Sequence, residues 1–284
     1  MDLVTTVAAA RQRRVEDRNA GRSVALVPTM GFLHEGHLSL VRKARELASS
    51  VWVSIFVNPA QFGPGEDLDR YPRDLERDLD LLRREGTSVV FAPSVSTMYP
   101  TPPQITIGFS DMEDVLCGAS RPGHFAGVGL VVAKLFNIVE PGVAVFGQKD
   151  AQQALLVRRL VDDLNFPIRI EVAPTVREPD GLAMSSRNTY LSAEERCAAP
   201  VLYRALLVAR DAIARGERDP HTVEALLRET VEREPLAHLE YATCVNQDDL
   251  QPPARIDHPV LLALAARVGT TRLIDNLPID PKEM

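Results

Sequence analysis

The chain has 284 residues, of which 45% are apolar and 25% charged, with a net charge of −7. That length and apolar content support one large or two ordinary domains; the acid excess, with Lys and Arg scattered among the acids, excludes the basic stripe that a nucleic-acid partner requires, and no run reaches the roughly 18 uninterrupted apolar residues of a membrane span. Cys117, Cys197 and Cys244 are widely spaced with no CxxC pair, and Arg11, Arg13 and Arg14 are followed by no apolar signal core, so a cytoplasmic protein without a disulfide framework or thiolate metal site is expected.

Residues 23–29 form an apolar run that predicts a buried parallel strand, and residues 36–48 repeat apolar side chains at helical spacing through Leu38, Val41, Ala44, Leu47 and Ala48. A helix N-terminus thus follows a strand C-terminus almost at once. Such an end offers unpaired backbone N–H groups and a positive partial charge, which suit a phosphate. Gly31 and Gly36 allow a ligand close to the backbone, and His34 and His37, three residues apart, share the first helical turn, where both can donate to one phosphoryl group. Zinc is the competing use of a His-Glu-Gly-His string. The helical zinc motif needs its histidines four apart with a third ligand beyond, which this spacing does not provide. The chain also lacks the GxxxxGK[ST] and GxGxxG phosphate loops.

A second strand is expected at 51–57, leading into a polar loop with Asn58, Pro59, Gly63, Pro64 and Gly65. Leu75, Leu79, Leu81 and Leu82 mark a charged helix that stops at Gly86, before a strand at 89–91. The alternation continues with an apolar helix over 128–139, a strand at 143–146, a helix over 151–164 and a strand at 168–172. Repeated βα units imply an α/β domain with a Rossmann-like, doubly wound parallel sheet. After Ala173 the pattern changes. Ser192 and Glu195 form a capping box for one long helix reaching Gly216, Asp219 and Pro220 open another, and β-like runs follow at 239–245, 260–266 and 271–276, the last two pairing antiparallel through a turn near Gly269. The expected division is 1–175 and a smaller C-terminal α+β domain, 176–284.

Three further clusters fall at strand ends, where open α/β sheets bind ligands. They are Ser54-Ile-Phe-Val-Asn-Pro-Ala-Gln61-Phe-Gly with Tyr71-Pro-Arg73, Val145-Phe-Gly-Gln-Lys149-Asp150-Ala-Gln152-Gln153, and Met184-Ser185-Ser186-Arg187-Asn188. With the Pro-Thr-Met-Gly and His-x-Gly-His segment, and with Arg121-Pro-Gly-His124-Phe between them, these residues closely resemble the pantothenate synthetase family, the AMP-forming pantoate:β-alanine ligases of the HxGH nucleotidyltransferase superfamily. The resemblance spans almost the whole chain and implies formation of pantothenate from pantoate, β-alanine and ATP, through a pantoyl-adenylate, with release of AMP and pyrophosphate.

Each role carried over is chemically sensible. His34 and His37 would stabilise charge building on the α-phosphoryl oxygens, Lys149 would supply an ammonium to the phosphates, and Ser185, Ser186 and Arg187 would form a second phosphate loop that closes over ATP from the smaller domain. Gln61 and Gln153 would hydrogen-bond the hydroxyl and carboxylate of pantoate without neutralising the nucleophile, and Met30 would pack on its methyl groups. Gly147 and Asp150 would meet the ribose, Val176 and Met184 the adenine; a helix N-cap is the other reading of Asp150. Mg²⁺ would accompany ATP as co-substrate, with Asp78 as its matching contact, although Asp78 also fits an exposed helix position. No general base for the amine step is evident. The resemblance also implies a homodimer. Phe32 stands where relatives carry a small residue, either lining the pocket or supporting the helix, and Asn246 stands where an acid is more usual. The alternative function is another HxGH nucleotidyltransferase with a different acceptor, for which Arg or Lys at positions 61 and 153 would be expected; a non-catalytic nucleotide-binding protein would leave the paired histidines without purpose.

Overall fold

The structure, a computed structural model, describes residues 1–284. Its contacts divide the chain into two compact units, Met1–Asp114 with Gly118–Pro174, and Val115–Cys117 with Thr175–Met284. The excursion of three residues into the second unit has no signature in the sequence periodicity.

In the first unit the strands β1 (Asp2–Val4), β2 (Val24–Thr29), β3 (Ser50–Ile55), β4 (Val89–Phe91), β5 (Val143–Gly147) and β6 (Arg169–Ala173) form one sheet in the order β1-β4-β3-β2-β5-β6, parallel throughout. Both faces are buried, and the period-two alternation of strand residues sorts them between two cores. Val24, Leu26, Trp52, Val89, Phe91, Ala144 and Phe146 pack with α6 (His124–Val139) and α7 (Ala151–Asp163). Ala25, Val27, Val51, Val53, Val90, Val143 and Val145 pack with α2 (Glu35–Leu47) and α3 (Leu75–Arg84). The chain turns from β2 to β3 on one side and pairs β2 with β5 on the other, so the topological switch point lies at the C-terminal ends of β2 and β5.

Strand β1 and helix α1 (Val7–Asn19) were not expected from the sequence, because three residues are too short for a periodic signal and α1 is mostly polar. Asp17 explains how such a helix docks. Its fully buried carboxylate accepts from Arg13 at 2.7 Å, Arg22 at 2.6 Å, Ser50 Oγ at 3.0 Å and Trp52 Nε1 at 2.8 Å. Burial by itself pushes this group up, but these four donors outweigh it and hold the carboxyl at about 2. Two four-residue helical turns, α4 (Val95–Met98) and α5 (Cys117–Ser120), complete the helices that precede α6.

The second unit packs α8 (Ala193–Ala198), α9 (Val201–Ala214) and α10 (Pro220–Glu232) with an antiparallel sheet, β7 (Ala237–Asn246), β8 (Val260–Val268) and β9 (Thr271–Ile279). The expected single helix to Gly216 is two helices. Pro200 has no N–H to give to the carbonyl one turn back, so α8 ends and Pro200 becomes the N-cap of α9. The capping box of α8 is formed as expected, Ser192 N–H donating to Glu195 Oε2 at 2.8 Å and Glu195 N–H to Ser192 Oγ at 3.3 Å. Asn246 ends β7, its N–H donating to Gln251 O at 2.9 Å and its carbonyl accepting from Leu250 N–H at 3.1 Å, so the residue closes a surface loop.

Candidate functional site

The site in the first unit begins where β2 ends. Thr29 Oγ1 donates to Ser54 O at 2.8 Å and accepts from Gly31 N–H at 3.2 Å, which starts a tight turn. Gly31 has φ 83°, and a Cβ there would lie 2.9 Å from Ile55 Cγ2 and 3.1 Å from Asp78 Oδ2, so both conformation and space call for glycine. Phe32 follows at φ 52°, a costly conformation for a side chain of its size. Asp78 compensates from α3. One carboxylate oxygen accepts from Phe32 N–H and the other from Leu33 N–H, each at 2.7 Å. At 1% exposure Asp78 is not the exposed helix residue that its charged neighbours suggest. Each oxygen accepts a backbone N–H of the turn, so Asp78 positions that turn, a role separate from the magnesium contact that the resemblance implies. Burial raises its carboxyl above the usual range, with the two amides opposing. The ring of Phe32 is half-buried, with the Arg77 guanidinium 5.2 Å from its centroid.

His34 is the N-cap of α2, and its N–H donates to His37 Nδ1 at 3.3 Å. An Nδ1 that accepts carries no proton, so neutral His37 is an Nε2–H donor. The two rings lie 4.1 Å apart at 44°. Burial lowers His34 to about 4, with the Lys149 charge adding to the effect and Asp150 opposing it. Burial also lowers His37 well below its ordinary range, helped by His34 and Lys149. The two imidazoles, Lys149 and Asp150 therefore act on one another electrostatically, the latter two carried by the turn between β5 and α7. Asp150 sits at the N-cap of α7 but makes no side-chain capping bond and is exposed. His34 Nδ1 is buried and has no hydrogen-bond partner in the protein, an arrangement suited to a ligand.

The burial of neutral histidines has a sign. A histidine whose folded value lies below its unfolded value binds fewer protons folded than unfolded across that interval, so stability is lost as pH falls from about 6.5 to about 4. We expect the unfolding free energy to drop by on the order of 2 kcal/mol between pH 7 and pH 4.5. Urea titrations across that range check this, and a flat midpoint would contradict it.

On the other side of Met30 stands Gln61, 8% exposed, whose Nε2 donates to Met30 Sδ at 3.3 Å. Asn58 orients it. Its Nδ2 donates to Gln61 Oε1 and to Gly127 O, both at 3.1 Å, while Oδ1 accepts from Tyr99 OH at 2.9 Å and from Ala60 N–H at 3.2 Å. All four bonding positions of Asn58 are used, so the Gln61 amide presents its donor end. Sequence reasoning gave Asn58 no role; the Asn-Pro dipeptide that caps a turn was the available signal. On α7, Gln152 is buried and donates to Met112 O at 3.0 Å, whereas Gln153, the residue singled out, is half-buried.

The remaining predicted residues belong to the second unit. Met184 N–H donates to Val176 O at 3.0 Å, which brings the two expected adenine neighbours together. Ser185 Oγ accepts from Arg187 N–H at 3.2 Å, Ser186 is buried, and Asn188 Nδ2 donates to Ala183 O at 3.1 Å, so the segment is a built turn.

A parallel sheet with a phosphate-suited helix N-terminus at its switch point, two neutral histidines and a lysine defines a nucleotide-handling α/β protein. The comparison with known proteins is more specific. The chain belongs to the pantoate–β-alanine ligase family, whose profile matches residues 2–278. It is 55% identical over 262 residues to the pantothenate synthetase of Thermoanaerobacter sp. (strain X514), covering 92% of this chain and 93% of that one, and 52% identical over 280 residues to that of Moorella thermoacetica, covering 99% of each. The crystal structure of the pantothenate synthetase from Thermus thermophilus superposes with a TM-score of 0.93 at 46% identity, over 98% of this chain and 99% of that one. The Francisella tularensis pantoate–β-alanine ligase, in complex with β-γ ATP and β-alanine, superposes with a TM-score of 0.80 at 32% identity, over 99% and 98%.

Proposed function

We infer that this chain is a pantothenate synthetase: a ligase that condenses pantoate with β-alanine, consuming ATP and releasing AMP and pyrophosphate. The observation that carries the reading is the pairing, within one unit of a pantoate–β-alanine ligase, of a charge-stabilising pole (His34, His37, Lys149) with an uncharged amide pole (Gln61 beside Met30). In the first step a pantoate carboxylate oxygen attacks the α-phosphorus, the C–O–P bond forms, and the bond to the β-phosphate oxygen breaks to release pyrophosphate. His37 donates through Nε2, and His34 and Lys149 act on the same developing charge. Ser185, Ser186 and Arg187 are assigned to the phosphates, Gly147 and Asp150 to the ribose, and Val176 and Met184 to the adenine, on the family motifs. In the second step the β-alanine amine attacks the acyl carbon, the C–N bond forms, AMP leaves and the amine loses its proton; with so good a leaving group, placing the two reactants together supplies much of the rate.

Gln61 and Gln153 take pantoate. A dianionic phosphate acceptor would call for cations at those positions, which disfavours the alternative nucleotidyltransferase reading. No cluster of three His, Cys, Asp or Glu side chains able to cage a metal is formed, and Asp78 is committed to backbone amides. Mg²⁺ belongs to the reading as the counterion of ATP, held chiefly by phosphate oxygens and water, with Asp78 the side chain that the family motif assigns to it. No helix is long and apolar enough to cross a membrane, and Cys117, Cys197 and Cys244 form no disulfide; a cytoplasmic homodimer is the assembly we propose, on the family resemblance.

The deciding experiment follows pyrophosphate release from ATP and Mg²⁺ with pantoate alone and then with β-alanine. Pyrophosphate that depends on pantoate, with AMP and pantothenate released only after the amine is added, establishes the two-step ligase; silence with pantoate while ATP still binds would send the search to another acceptor. Gln153→Ala is expected to raise the KM for pantoate about tenfold, the worth of roughly one lost hydrogen bond, with the KM for ATP unchanged. An unchanged pantoate KM would remove Gln153 from the acceptor site.

A further inference from the structure

The Arg121-Pro-Gly-His124 motif has no part in the chemistry described so far, yet its side chains converge on one point. His124 Nδ1 lies 2.8 Å from the backbone carbonyl oxygen of Gln61, which can only accept, so Nδ1 carries the proton. Arg121 Nη1 lies 3.0 Å from His124 Nε2, and a guanidinium can only donate, so Nε2 is the accepting lone pair. His124 is thus a neutral imidazole with both nitrogens engaged, which excludes it as the base for the amine step. Arg121 Nη2 donates to the same Gln61 carbonyl at 3.3 Å. Its guanidinium is in turn clamped by Glu66, Nε to Oε1 and Nη2 to Oε2 both at 2.7 Å. One turn further along α6, a Cβ on Gly127 would lie 2.1 Å from Ala60 O and 2.7 Å from Gln61 N, and the Gly127 carbonyl accepts from Asn58.

We propose that Arg121, just before α6, and His124 and Gly127 in its first turn, spaced three apart, form a positioning device that holds the backbone of Gln61 and so preorganises its amide for pantoate. The proposal rests on the assignment of Gln61 to the pantoate site. A glutamine on an unfixed main chain loses backbone and rotamer freedom when it takes a ligand. Fixing it in advance removes that cost from substrate binding. Arg121 and His124 hold the main chain, Asn58 sets which end of the amide faces outward, and Gly127 lets the helix come close enough for both.

A double-mutant cycle tests this. Pantoate affinity, by titration calorimetry and as KM at saturating ATP, is measured for wild type, Gln61→Ala, His124→Ala and the double variant. His124→Ala is expected to weaken pantoate about tenfold with the KM for ATP unchanged, and to add nothing in the Gln61→Ala background. His124→Asn, whose Nδ2 can replace Nδ1–H, is expected to recover most of the affinity. Arg121→Met, run through the same cycle, serves if the alanine variant does not fold. A His124→Ala effect of equal size in both backgrounds, or no effect while Gln61→Ala weakens pantoate, overturns the proposal and leaves the Gln61 assignment standing. Undiminished pantoate affinity in Gln61→Ala overturns that assignment, and the proposal with it.

Discussion

His34→Ala and Lys149→Ala are each expected to slow pantoate-dependent pyrophosphate release by on the order of 10² or more, the usual effect of deleting one preorganised donor to a developing oxyanion. On the proposed mechanism the charge builds on α-phosphoryl oxygens at the N-terminus of α2, where the helix already contributes a positive partial charge. His37→Ala belongs to the same class, with one complication. His37 Nδ1 also accepts the His34 N–H, so its loss removes a cap as well as a catalytic donor, at about 1 kcal/mol of stability. His37→Gln separates the two effects, because a glutamine Nε2 reaches the position of the imidazole Nε2–H. It is expected to retain more adenylation than His37→Ala. Rapid-quench measurement of the first turnover reads the adenylation step directly. Near-normal rates in His34→Ala or Lys149→Ala would remove that residue from the transition state. Both histidines are neutral because burial and the Lys149 charge disfavour a second cation, so they donate without demanding a counter-charge.

Much of this site is written in local patterns. The strand, the turn at Gly31, and the helix carrying His34 and His37 lie within two dozen consecutive residues, and both apolar periods are unbroken there. The order of βα units likewise fixes the switch point, which puts Lys149 and Asp150 opposite the histidines. What escaped were contacts between residues far apart in the chain. Nothing around Asp78 distinguishes it from its neighbour Asp80 as a charged helix residue, and only the folded α3 shows that one carboxylate is buried under the turn while the other is exposed. Asp17 is hidden for the same reason, on a helix whose polar composition conceals its docking. The break at Pro200 is different. Its cause is a single residue, because the capping box at Ser192 marks only where a helix begins, and the proline eight positions on stops it after Ala198.

Asp78→Ala is expected to have a large effect through structure and not through metal. It leaves the buried N–H groups of Phe32 and Leu33 without acceptors, at about 1–3 kcal/mol each, while Phe32 keeps its left-handed conformation at about 1 kcal/mol or more. The total is a large part of a typical domain's stability. Asp78→Asn, nearly isosteric, keeps one acceptor and turns an NH₂ group toward the other amide, so it is expected to be close to alanine in lost stability. Burial raises the Asp78 carboxyl, so its ionisation opposes folding as pH rises through its folded value; the loss of stability from pH 7 to about 4 falls to the buried histidines instead. With the turn unpinned, His34 loses its placement at the head of α2, and adenylation is expected to fall at least tenfold with the KM for pantoate less affected. Mg²⁺ dependence distinguishes the two roles. A clamp leaves the half-saturating Mg²⁺ concentration of the residual activity unchanged while thermal and urea midpoints drop; a metal ligand shifts the Mg²⁺ requirement with the midpoints intact. Asp78→Asn with wild-type stability and a raised Mg²⁺ requirement would return this residue to the metal.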